Sequence, residues 1–395
     1  MNNMSPQWRD PIEWTRPQPL KIAQIAPLIE SVPPRLYGGT ERIVSYLTEE
    51  LVAQGHEVTL FASGGSATSA RLVCCSDLPL RQKGGVDPTP SYLLMVDRAR
   101  RMASQFDILH FHVDHLHFPL FRDIAAHTLT TLHGRQDLPD FERLYAGFPE
   151  MPLVSISNAQ REPIPHANFV GTVSNGLPLD LLAPTLRPKG DYLAFLGRVS
   201  PEKGLANAIA IAKAVGLPLE IAAKVDVPDR AYFHDVIEPL LSPPDVTFVG
   251  EIDDRRKCRF LGDARALLFP IEWPEPFGLV MIEAMACGTP VLAFRRGSAP
   301  EIVEEGVTGC LVDSVEEAIQ RFDRLLSLDR GRVRRSFEAR FSAARMAKEY
   351  VAIYRRLLRD PAPAELRARP IVVPPTYFNE HVEDTIEPDH PYPTP

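Results

Sequence analysis

The sequence predicts an α/β protein built from two doubly wound domains. Three observations carry that prediction: short β-rich runs alternate with longer helical patterns, the alternation restarts near the middle of the chain, and a turn-rich stretch separates the two series. Strand–helix alternation of this kind gives parallel sheets covered by helices on both faces.

The elements follow in order. Lys21–Ala26 (KIAQIA) reads as a buried strand. Ile43, Val44, Leu47, Leu51 and Val52 then recur at helical spacing, with Gly55 placed to end the helix. Val58–Ala62 (VTLFA), Ile108–His112, Thr128–Leu132, Leu153–Ile156 and Phe169–Val173 complete the first series. Asn175-Gly176, Pro178, Pro184 and Pro188 form the turn-rich linker. The second series holds Tyr192–Leu196, Leu219–Ala223, Val246–Val249, Ala266–Phe269 and Val291–Phe294. A last helical pattern puts Met346, Tyr350, Tyr354 and Leu357 on one face, and periodicity leaves open which domain it packs on. Four of the 39 prolines fall in residues 1–20 and nine in 361–395. Segments so rich in proline do not propagate helices or central strands, so both ends are expected to be extended or disordered.

The chain of 395 residues is long enough for two or three domains. With 43 Lys and Arg against 51 Asp and Glu, its net charge of -8 has the wrong sign for a nucleic-acid wrapper. No apolar run is long enough to span a membrane, and residues 1–20 contain no signal-like apolar core. The five cysteines (Cys74, Cys75, Cys258, Cys287 and Cys310) form no CxxC pair. A cytoplasmic, reducing setting is therefore expected.

Ligands of open α/β sheets sit beyond the carboxyl ends of the strands. Gly38-Gly39-Thr40-Glu41 opens the first helix, where bare backbone N–H groups suit an anion or a sugar. The preceding stretch from Pro27 to Tyr37 lacks the GxGxxG of a nicotinamide site. In the second series, Arg198 and Lys203 sit in one turn with only Glu202 as an obvious carboxylate partner, an arrangement suited to a diphosphate. The richest segment is FPIEWPEPFGLVMIEAMACGTP, residues 269–290. Here Trp273-Pro274-Glu275-Pro276 makes a stiff loop, and a helix is expected from about Gly278 to Cys287. The amides of Phe277, Gly278 and Leu279 form its phosphate-attracting N-terminus, and Glu275 and Glu283 flank it. Two carboxylates beside a phosphate site call for a hydroxyl-rich ligand.

This segment resembles the Glu-x7-Glu signature of retaining family 4 glycosyltransferases, whose GT-B fold has two Rossmann-like domains facing a cleft. Gly38-Gly39, His133 in Thr131-Leu132-His133-Gly134, Asn175-Gly176, Gly197-Arg198, Glu202-Lys203-Gly204 and Val249-Gly250 follow in the family's order. Phe341–Leu358 resembles the family's terminal helix, which crosses back to the first domain. The domain plan implied is an arm at 1–20, an acceptor-side domain at 21–182, a nucleotide-sugar domain at 183–340, the crossing helix at 341–360 and a tail at 361–395.

The resemblance implies that Arg198 and Lys203 grip the donor diphosphate, Glu275 holds the donor sugar with the Phe277–Leu279 amides, and Glu283 binds the ribose. Gly250, Glu251 and Ile252 would lie near the base. His133 and the Gly38–Glu41 loop, including Thr40, would face the reacting sugar and the acceptor. Many relatives carry Gly-x-Gly-Pro after the second strand of this domain; this chain has Ala222-Ala223-Lys224-Val225-Asp226, which offers Lys224 as a third cation. The implied reaction moves a hexose from a nucleoside-diphosphate sugar, UDP-glucose being the first choice, to a hydroxyl acceptor. That acceptor would be a small molecule, a saccharide or a lipid-linked sugar. Configuration is retained and no metal cofactor is required, since the sequence holds no Asp-x-Asp. An epimerase of the same fold and a non-catalytic sugar-binding module are the alternatives.

Two further signals compete. His110, His112, Asp114, His115 and His117 cluster along a strand end, as a metal site would, but alternate Phe111 and Val113 look like a packed face. His112 and Asp114 are read instead as acceptor-side contacts. Residues 321–369 hold 13 Arg and one Lys against six acids. A solvated helix face is the preferred reading, and a peripheral membrane contact or a docking site for the acidic tail are the others.

Overall fold

The computed structural model describes residues 18–36, 38–85 and 87–359. Apart from residues 18–20, the expected Pro-rich arm and tail lie outside them. Among the described residues, thirteen strands form two all-parallel sheets. The first contains β1 (Lys21–Ile25), β2 (Glu57–Ser63), β3 (Arg71–Ser76), β4 (Ile108–Phe111), β5 (Thr128–Thr131), β6 (Leu153–Ser155) and β7 (Phe169–Thr172), in the order β3-β2-β1-β4-β5-β6-β7. The second contains β8 (Leu193–Arg198), β9 (Leu219–Lys224), β10 (Val246–Phe248), β11 (Ala266–Phe269), β12 (Val291–Phe294) and β13 (Gly309–Val312), in the order β10-β9-β8-β11-β12-β13. In each sheet the first strand is central and the order reverses beside it, the doubly wound topology with its ligand crevice at the reversal.

Strands β4, β5, β11 and β12 are buried along their whole length, and β11 (ALLF) and β12 (VLAF) read as unbroken apolar runs for that reason. Two strands were not anticipated. β3 (RLVCCS) is an edge strand with mostly exposed side chains, so it has no continuous apolar run. β13 (GCLV) has only three apolar residues in a row between Gly309 and Asp313, too few to stand out as a strand.

The terminal helix, Ala343–Arg359, packs on the first domain against the Gly39–Ala53 helix, with Met346, Tyr350 and Tyr354 buried. The chain therefore crosses between the domains twice, and the crossings touch. Leu177 N donates to Phe341 O at 2.9 Å and Ala343 N to Leu177 O at 2.8 Å. Gly176 sits at this contact, where a Cβ would stand 2.4 Å from Ser342 O. The Asn175-Gly176 pair read as a turn is thus fixed by the close approach of a second backbone.

The arginine-rich stretch forms a clamp on these crossings. Arg330, nearly buried, donates to the carbonyls of Thr185, Gly262 and Ala264 and to Thr289 Oγ1. Arg334 takes the carbonyls of Leu179, Leu182 and Ala286, and Arg345 that of Ser174 at 2.7 Å. These three side chains depart from the solvated-face reading, whereas Arg324, Arg332, Arg335, Arg356 and Arg359 are exposed as that reading expects, and the membrane-contact reading gains no support. Helical periodicity shows which residues share a face, not that a guanidinium fork is capping carbonyls of another segment.

Candidate functional site

The two domains face each other across a cleft of about 510 Å³. Strand ends and helix N-termini supply its walls. The Gly39–Ala53 helix opens on one side and the Leu279–Ala286 helix on the other, and a Cβ on Gly39 would lie 3.5 Å from Leu279 Cδ1. Two positive dipole ends thus point into one space, an arrangement that attracts a phosphate group.

On the second-domain floor, β8 ends at Arg198 and β9 at Lys224, in register with each other. Gly204 follows the Pro201–Lys203 turn with φ +71°, and a Cβ there would lie 1.9 Å from Pro270 O. Only glycine lets this turn lie against the end of β11, and that packing brings Lys203 to Glu275. Lys203 Nζ ion-pairs Glu275 Oε2. Trp273 Nε1 donates to the same oxygen at 2.9 Å, and Lys203 stands over the Trp273 ring, 5.1 Å from its centroid. Ser298 N holds Glu275 O at 3.0 Å from behind. Lys203 therefore has a carboxylate partner that sequence spacing did not suggest. Arg198 donates to Glu202 at 2.7 Å and lies 3.7 Å from Asp229, while Lys224 pairs with Asp226 at 2.8 Å.

At the other end of the Leu279–Ala286 helix, Glu283 is buried and accepts from Lys257 Nζ at 2.6 Å. Lys257 also reaches Asp254 at 3.2 Å, and Asp254 ion-pairs Arg42 of the first domain. Arg42–Asp254–Lys257–Glu283 is therefore a continuous charge chain across the cleft. Arg42 and Lys257 were missed by the sequence reading, because Arg42 looks like an ordinary first-turn residue and Lys257 lies within the charged run DDRRK.

On the first-domain side, Gly38, Gly39, Thr40, Glu41 and His133 line the cleft with Glu30 and Arg81. Glu41 is buried, which raises its carboxyl above the ordinary value, and it accepts from Glu30 N at 3.2 Å. His133 donates or accepts at Nε2 with His112 Nδ1, 2.8 Å away, and burial lowers its pKa to about 4, so the ring is neutral at pH 7.

Of the residues singled out from sequence, Arg198, Lys203, Lys224, Glu251, Ile252, Glu275, Phe277, Gly278, Leu279, Glu283, Gly38, Gly39, Thr40, Glu41 and His133 all line this one cleft. Three do not. Gly250 has φ +76° and accepts from Ala223 N, so it shapes the turn behind Glu251. His112 is buried behind His133, and Asp114 sits at φ +50°, away from the cleft lining, where desolvation raises its pKa to about 6. Neither lines the cleft. A strand alternation places His112 on the right face but gives no depth, and the layer of His133 comes between. The histidine cluster is spread among separate roles, His117 stacking on Phe111 at 3.6 Å and bonding Thr130 at 3.0 Å. Among the described residues no group of three His, Cys, Asp or Glu is arranged to hold a metal ion.

Comparison with known proteins gives a consistent likeness. Residues 183–341 match the family model described as glycosyl transferases group 1, and residues 37–177 match that of glycosyltransferase family 4. A D-inositol 3-phosphate glycosyltransferase of Mycolicibacterium smegmatis is 30% identical over 244 residues, 55% of this chain and 54% of that protein. An N-acetyl-alpha-D-glucosaminyl L-malate synthase of Bacillus anthracis is 32% identical over 153 residues, 36% and 39% of the two chains. The matched stretches thus span about half or less of these relatives. Among solved structures, AviGT4, a glycosyltransferase involved in avilamycin A biosynthesis, superposes with a TM-score of 0.66 at 26% identity, covering 86% of this chain and 98% of that one. HepE of Anabaena, solved with UDP-glucose, shares the fold with a TM-score of 0.64 at 17% identity, covering 85% and 100%.

Proposed function

Since the chain belongs to the family 4-like glycosyltransferases of the GT-B type, we propose that it moves a hexose from a nucleoside-diphosphate sugar to a hydroxyl acceptor, with retention of configuration and without a metal. The observation that carries this reading is the meeting of Arg198, Lys203 and Glu275 at the N-terminus of the Leu279–Ala286 helix, with Glu283 four residues into that helix. Cations and helix amides take the diphosphate, while the two carboxylates take hydroxyls of the sugar and the ribose.

In the reaction proposed, the bond from the anomeric carbon to the diphosphate oxygen breaks and the acceptor oxygen bonds that carbon from the same face. The leaving phosphate oxygen takes the acceptor's proton. Charge growing on the diphosphate is met by Arg198, Lys203 and the Phe277–Leu279 amides. UDP-glucose is the donor of first choice, a reading supported by HepE, whose structures hold UDP and UDP-glucose. All five cysteines are free thiols, which supports a cytoplasmic setting, and no described helix is long and apolar enough to cross a membrane.

Calorimetric titration with UDP, GDP and ADP, repeated on Glu283→Ala and Arg198→Ala, tests the proposal. One nucleotide should bind and both substitutions should weaken it. Absence of binding to all three by the folded protein would overturn the transferase reading and favour a non-catalytic module. Anomer analysis of the product by NMR then tests retention.

A further inference from the structure

The first domain contains a polar network that the reaction as proposed does not use. It runs from the terminal helix through the sheet to the cleft. Tyr354 OH lies 2.7 Å from His110 Nδ1 and accepts from Gln24 Nε2 at 3.2 Å. Gln24 Oε1 lies 2.8 Å from His112 Nε2, and His112 Nδ1 lies 2.8 Å from His133 Nε2. Gln24, His110, His112 and Tyr354 are buried, while His133 lines the cleft. Such a chain is costly to bury and has one proton direction at a time.

The direction follows from Gln24. Its carbonyl oxygen only accepts, so His112 Nε2 must carry a proton. In a neutral imidazole the other nitrogen is then bare, so His112 Nδ1 accepts from His133 Nε2–H. His133 is thereby left with its proton on Nε2 and a lone pair on Nδ1, and Nδ1 has no partner among the described residues. In this arrangement Gln24 Nε2 donates to Tyr354 OH, whose own proton goes to His110 Nδ1.

We propose that Gln24 and His112 are positioning residues that hold His133 as a hydrogen-bond acceptor toward the sugar in the cleft. This rests on the transferase reading and deepens it. A bare imidazole nitrogen adds a neutral acceptor to the cleft beside the carboxylates of Glu41 and Glu275, suited to accept a hydrogen bond from a sugar hydroxyl. Its lone pair also faces a ring that becomes cation-like as the donor bond breaks, where an N–H would oppose the charge. Burial supports the assignment, since it holds His110 and His112 far below their usual pKa and so keeps both rings neutral.

The test is the tautomer itself, read from nitrogen–proton correlation NMR of the full chain labelled with 15N-histidine, with His133→Gln identifying the signals. His133 should be protonated at Nε2. In His112→Phe and in Gln24→Met the signals should move toward the other tautomer or a mixture. In kinetics with a turning-over donor, both variants should lose roughly tenfold in kcat with little change in donor KM, a split that general loss of fold would not give. A wild-type His133 protonated at Nδ1, or a tautomer unchanged in both variants, would overturn the proposal. The NMR measurement needs no donor, so a protein that binds no nucleotide sinks the transferase reading while still deciding the tautomer.

Discussion

Lys203 Nζ and Glu275 Oε2 are ion-paired on the floor of the cleft, and Trp273 holds the same carboxylate oxygen from the other side. Glu275 thus occupies Lys203 until a phosphate competes for it, and an anion beside the phosphate site is repulsive in the absence of sugar. Glu275→Gln is expected to lower transfer by about 100-fold, the scale of losing one aimed polar group. Binding of the bare nucleoside diphosphate should be unchanged or tighter. Calorimetry beside initial rates checks this; weaker diphosphate binding in the variant would contradict the arrangement.

The charge chain Arg42–Asp254–Lys257–Glu283 joins the domains through the proposed ribose carboxylate. Asp254→Ala removes the link between them. The nucleotide-free protein should then show a larger radius of gyration in solution scattering, with saturating nucleotide restoring the compact value. An unchanged radius would mean that the Arg42 contact does not hold the domains together.

Acid should destabilise the protein through its histidines. Burial lowers the pKa of His110, His112, His117 and His133 in the fold, the last to about 4, from an ordinary value of 6.5. Below that ordinary value the unfolded chain binds protons that the folded chain refuses, so stability falls as pH drops from about 7.5 to about 5.5, by about 1.4 kcal/mol per histidine. Asp114, raised to about 6, acts in the opposite direction and offsets part of the loss. Urea unfolding at the two pH values measures the difference, and a flat profile would be inconsistent with neutral buried rings.

Arg330 satisfies four acceptors drawn from the linker and from both sides of β11. Arg330→Met keeps the stem and strips the fork, leaving buried carbonyls without a donor. A loss of at least about 3 kcal/mol in chemical unfolding is expected. Sedimentation with anionic vesicles should show no difference between the variant and the parent, because this guanidinium points inward.

Much of the fold was legible because burial on both faces forces continuous apolar strands, and the restart after Asn175-Gly176 marks the second unit. The donor side of the site was legible for a related reason. Gly204, Glu275 and Gly278 lie in turns whose local geometry depends on residue type, so their chemistry is written in consecutive positions. β3 escaped because its half-exposed edge strand carries no continuous apolar run, and β13 because Gly309 and Asp313 limit its apolar run to three residues.

The sequence by itself determined two doubly wound domains, the order of their strands along the chain, and the identity of the groups at the strand ends. The tertiary structure decided what those groups meet: Lys203 with Glu275, Lys257 with Glu283, Arg42 with Asp254, His133 with His112, and His112 in turn with Gln24. Each of these pairs joins residues separated by at least 21 positions. Periodicity constrains which face a side chain takes within its own element, whereas a partner from another element is chosen by packing across the core and the cleft.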